Sequence, residues 1–88
     1  MNNKQILGAL AMDLKRVALG LHRKSFITAD KFLTEAMNRK EEIDISTLLP
    51  YMQTILHQVE VLASQENETK AENALMYSTR IQNYILHK

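Results

Sequence analysis

Eighty-eight residues without a single cysteine leave no disulfide, no thiolate-held metal and no cysteine nucleophile. Apolar residues at 45%, charged residues at 24% and a net charge of +1 are the balance of a soluble globular chain, not a disordered one. A chain this short buries only about 60–65% of the surface its unfolded form exposes, so one domain over residues 1–88 with a thin core is expected.

Two glycines and one proline argue for few turns and long helices. The longest uncharged stretch, Ile45 to Val59, has 15 residues and includes Ser46, Pro50, Gln53 and His57. A membrane span needs about 20 predominantly apolar residues. The apolar run Ile6 to Met12 is cut short by Asp13, Lys15 and Arg16, at the lower limit for a signal sequence. The expectation is a cytoplasmic chain with no membrane segment.

The first helix is predicted from about Asn3 to about Leu21. Ile6, Leu10, Leu14, Val17 and Leu21 recur at steps of three and four, and Leu7 and Ala18 widen that stripe at about 100° per residue. Lys15, Arg16, His22 and Arg23 fall opposite, with Met12 and Leu19 among them. Gly20 is a natural stop, because glycine adopts the left-handed conformation that ends helices. Phe26 would sit on the basic side if the helix ran on, so a turn is predicted between Gly20 and Ser25. One long or bent helix is the alternative, and it would line up Met12, Leu19 and Phe26 at intervals of seven.

The second helix covers Ser25 or Thr28 to Lys40, capped by one of those hydroxyls, with Ala29, Phe32, Leu33, Ala36 and Met37 inward. Asn38 to Asp44 is charged and unpatterned, the best linker candidate. Ser46 or Thr47 is the predicted cap of a third helix, with Pro50 in its first turn, where a missing donor matters least. Its stripe is Leu49, Met52, Ile55, Leu56, Val59 and Leu62. Ser64 to Glu68 reads as a polar hairpin loop, and Thr69 with Glu72 as a capping box opening the fourth helix. That helix runs to about Leu86, with Ala71, Ala74, Leu75, Ser78, Ile81 and Ile85 inward. Residues 76–86 are weaker helix formers, yet no second strand-like run exists to pair with them. The fold class expected is all-α: a small four-helix bundle of two helical hairpins.

No constellation points to catalysis. His22 and His87 have no ligand partner one turn away. His57 has Glu60, which would need dimer symmetry to complete a metal site. Glu41, Glu42 and Asp44, like Glu66, Glu68 and Glu72, gather at loops and helix starts, where the helix dipole alone favours acids. Calcium loops and glycine-rich phosphate loops are excluded by sequence, and Ser25, Ser46, Ser64 and Ser78 match no nucleophile motif. No enzyme activity, metal or cofactor is expected.

Charge is unevenly spread. Residues 1–40 carry eight basic side chains against three acidic ones, and residues 41–88 carry three against seven. The split suits packing of the two halves, head-to-tail pairing of two copies, or a basic face for a polyanion. Lys15, Arg16, Arg23 and Lys24 are the candidate polyanion face, which would bind with a steep salt dependence. Against DNA reading, the third helix offers only Gln53 and Gln58 to base edges. Tyr77 and Tyr84 flank Ile81 and Ile85 and make the fourth helix wider than one neighbour covers. These four are the candidate self-association face, and a homodimer is favoured. The leading expectation is therefore a non-enzymatic protein-interaction or adaptor module working through helix faces. The alternative is a regulatory nucleic-acid-binding protein.

Overall fold

The stripe at residues 6–21 folds as one helix, α1 (Asn3–His22), in a computed structural model that describes residues Asn2 to His87. Asn2 opens it with a reciprocal cap: its side chain accepts from the Gln5 amide at 2.9 Å, and its own amide donates to Gln5 Oε1. The remaining helices are α2 (Phe26–Glu41), α3 (Pro50–Val59) and α4 (Asn67–His87), with 3-10 turns at Ile45–Thr47 and Glu60–Ser64. Among the described residues there is no strand, so the fold is the expected all-α bundle.

The centre of the molecule is α1, which packs along both α2 and α4. Gly20 meets Ala29 at one end of α1 and Asp13 meets Arg39 nearer the other, so α2 runs antiparallel to it. Ala11 faces Ser78 and Gly8 faces Ile85, so α4 is antiparallel too. The short α3 and the turn after it lean on α4 and close one side of this three-helix layer. Met52, Ile55, Leu56, Val59 and Leu62 supply that closure, all of them buried. A radius of gyration of 12.1 Å equals the value of about 12 Å for a compact chain of this length.

The turn predicted between Gly20 and Ser25 is present, and α1 and α2 are separate helices. Several other local expectations are corrected. Gly20 is not the stop. It is buried inside α1, where Ala29 approaches too closely for a side chain. Lys24 takes the left-handed position instead, at φ 59°. The Ser25 amide donates back to Gly20 O at 2.7 Å and the Lys24 amide to Leu21 O, the paired bonds of a Schellman terminus. Ser25 holds the cap position of α2 without a side-chain bond.

The predicted linker is mostly helix, because α2 continues to Glu41 and buries Lys40, with Ile43 buried just beyond. Ser46 and Thr47 do not cap α3. Asp44 accepts from the Ser46 amide and hydroxyl to cap the first 3-10 turn, while Leu49 precedes Pro50 at the start of α3. The fourth helix begins three residues earlier than a Thr69 cap would place it, with Thr69 inside its first turn. Leu49 and Leu75 are exposed, not inward.

Candidate interaction surface

The proposed self-association face does not exist as a surface. Tyr77, Ile81 and Tyr84 are buried in the core of their own chain, and Ile85 is half-buried against it. Tyr84 makes α4 wide because it reaches over to the start of α3. Tyr84 Oη accepts the Leu49 amide at 3.3 Å, and its ring meets the Tyr51 ring edge-on at 5.6 Å. An end-on aromatic pair of this kind is a packing element. The surplus apolar surface inferred for α4 is thus absorbed by an element whose side of the bundle the sequence pattern leaves open.

Three of the four candidate cations line adjoining hollows that share Ser25 and Thr28. Arg16 and Arg23 line a shallow hollow with Leu19 and Phe32, and the Arg16 guanidinium lies over the Phe32 ring at 5.3 Å. Lys24 lines two neighbouring hollows, both with Phe26. Lys15 is exposed but lines none of these. Arg16 also stands 3.7 Å from Asp13, so part of its charge is already engaged.

What the structure brings together is an exposed apolar end. Phe26 is 45% and Ile27 89% exposed at the start of α2, immediately after the Arg23–Ser25 turn. Burying the side chains of α2 that matter uses Ala29, Leu33 and Ala36; Ile27 lies about 200° from Ala29 on the helix and has no neighbour to cover it. A hollow that includes its neighbour Phe26 is lined by Leu21, Ala71, Lys24, Glu68 and Glu72, with His22 and Asn67, so the start of α4 shares this end. The helical wheel of α2 alone signals Ile27 as off the stripe. The apposition of Lys24 with Glu68 and Glu72 needed the fold.

Elsewhere, a 190 Å³ hollow lies between the start of α1, the first 3-10 turn and α4, lined by Leu7, Leu48 and Tyr84 among others. It is smaller than the roughly 300–1,000 Å³ of ordinary ligand sites. Its mouth is tied by Asn3, which donates to Thr47 Oγ1 at 2.7 Å and to Asp44 O, and accepts from the Asp44 amide.

Two ion pairs are structural. Asp13 is 1% exposed, and Arg39 Nε donates to its Oδ2 at 2.6 Å, a hydrogen bond that holds the Arg39 guanidinium above its ordinary pKa. Lys40, its stem buried, donates to Glu60. That bond keeps the Glu60 carboxyl below its ordinary value. Glu60, one turn from His57, is therefore engaged by Lys40. Among the described residues no group of three or more histidines and acids could hold a metal ion. No described helix is long and apolar enough to cross a membrane.

Compared with known proteins, the chain matches no family model, no curated protein and no solved structure.

Proposed function

We propose that this chain is a non-enzymatic interaction module that binds protein through one end of its bundle. The observation that carries the reading is the pair Phe26–Ile27 beside an amphiphilic hollow: Ile27 is the most exposed of the large apolar side chains among the described residues, and Phe26 adjoins it. A nearly fully exposed isoleucine next to a half-exposed phenylalanine is the kind of local patch that marks recognition surfaces, more so when polar residues rim it. Nucleic-acid binding finds less support. Arg16 is partly engaged by Asp13, and Glu68 and Glu72 line the hollow of Lys24, where they would oppose a phosphate.

The test is a photo-crosslinking residue placed at Ile27 and, as a control, at Glu41 on the exposed end of α2. In cells expressing each variant, discrete protein adducts from position 27 and none from position 41 are expected. Equal labelling at both positions, or none at either, would remove the reading.

A further inference from the structure

Resting on the reading above, we infer that the occupant of this end is a second copy of the same chain, docked about a two-fold axis. The argument is the distribution of charge around the apolar centre. Lys24, from the turn after α1, and Glu68 with Glu72, from the start of α4, line the same hollow as Leu21, Phe26 and Ala71. A two-fold interface must be self-complementary: whatever patch one protomer offers, its partner offers the same patch rotated by half a turn. An apolar hollow lined by cation from one element and acid from another meets that requirement, because the rotation can set Lys24 of each copy against Glu68 and Glu72 of the other.

Three observations favour this occupant. Among the described residues neither Lys24 nor Glu68 nor Glu72 makes an ion pair, so their charges are available across an interface. A purely basic end would suit an anionic bilayer or a polyanion, but the two acids in the same hollow oppose both. Lys24 also holds the left-handed position where glycine is usual, a conformation that costs a residue with a side chain. A lysine kept there at that cost fits a role for its ammonium at the surface.

The bundle measures 35 × 22 × 21 Å, and an end of that cross-section offers an area at the low end of specific interfaces. Pairing is therefore weak and reversible, with a mass that rises with protein concentration. Docking end to end also leaves the core of each protomer intact, so the monomer stays folded on dilution.

The test is sedimentation or light scattering of the purified chain over a wide concentration range, on the parent and three samples. These are Lys24→Glu, the double variant Glu68→Lys/Glu72→Lys, and an equimolar mixture of the two. All these side chains are exposed, so helicity by circular dichroism should match the parent. Each reversal alone should weaken self-association by about tenfold or more, because like charges then face each other. The mixture should restore it to about the parent strength by forming a mixed dimer. A parent that stays monomeric at all concentrations, or reversals that leave its association unchanged, would overturn the inference. So would a monomeric parent that binds anionic phospholipid vesicles through Phe26 and Ile27. If crosslinking at Ile27 yields adducts with other proteins only, the interaction reading survives and self-pairing does not.

Discussion

The two glycines do different work, and the difference can be measured. A Cβ added at Gly20 would come within 3.1 Å of Ala29 Cβ and 3.2 Å of its Cα and backbone nitrogen. Backbone atoms of a neighbouring helix cannot move aside like the tip of a flexible side chain, so α1 and α2 would have to separate. Overpacking of this kind costs about 1–3 kcal/mol, only partly offset by the roughly 1 kcal/mol that alanine gains over glycine within a helix. At Gly8 the same Cβ would find only Ile85 Cδ1, at an ordinary contact of 4.0 Å. Gly20→Ala should therefore lower the denaturant midpoint, and Gly8→Ala should raise it by the equivalent of about 0.5–1 kcal/mol. If both substitutions moved the midpoint the same way, the close approach of α1 to α2 would be wrong. The same pair of residues shows what a sequence conceals. Gly20 sits near a helix end, where a left-handed stop is the natural reading, yet the left-handed residue is Lys24. Which glycine faces a backbone and which faces a side chain depends on helices far away in the chain, and no local signal carries it.

At the scale of elements, the periodic stripes were legible and the ends were not. Ile6, Leu10, Leu14 and Val17 on α1 are buried, as are Met52, Leu56, Val59 and Leu62 beyond them, because a helix that covers one face must repeat apolar residues at that period. Caps depend on a few hydrogen bonds, which neighbouring segments redirect. Asp44 takes the Ser46 amide for a 3-10 turn, and Asn3 of α1 binds across the same segment to Thr47. The misplaced self-association face has the same origin. A wide apolar surface on α4 is what a second neighbour requires, but the pattern does not say whether that neighbour is another copy or this chain's own α3. The join between α2 and the end of α3 carries a pH signature. Lys40 lowers the Glu60 pKa, so the contact stabilises the fold fully above the ordinary carboxylate range, near 4.5. The contribution fades as pH falls through the lowered value. Glu60 is 54% exposed along its side chain, so the effect is small and screened by solvent. Glu60→Gln should be slightly less stable than the parent at pH 7, with the gap closing as the pH is brought down toward 3. A gap that persisted unchanged into acid would show that the pair contributes by packing and not by charge.

For the whole molecule, the charge asymmetry poses the sharper question. Eight cations against three acids in residues 1–40, and seven acids against three cations afterwards, would suit two halves that hold each other by charge. The fold does not use them so. Of the ion pairs among the described residues, two lie within the basic half, on Asp13, and only Lys40–Glu60 crosses to the acidic half. The halves are joined by the apolar seam of α1 with α4 and by the buried bond from Ser78 to Ala11 O at 2.7 Å. Folding and association should then respond differently to salt. Screening acts strongly on exposed charges, with a Debye length of about 10 Å at 0.1 M falling to about 3 Å at 1 M, and weakly on a carboxylate as buried as Asp13. Urea midpoints taken on dilute monomer in sodium chloride from about 0.05 to 1 M should stay nearly constant. Self-association over the same range should weaken several-fold if Lys24 meets Glu68 and Glu72 across the interface. A midpoint that fell steeply with salt would mean that the two halves are held by charge after all. Unchanged self-association would place its energy in Phe26 and Ile27 alone, where Ile27→Asp and not charge reversal would be the variant that dissociates the pair.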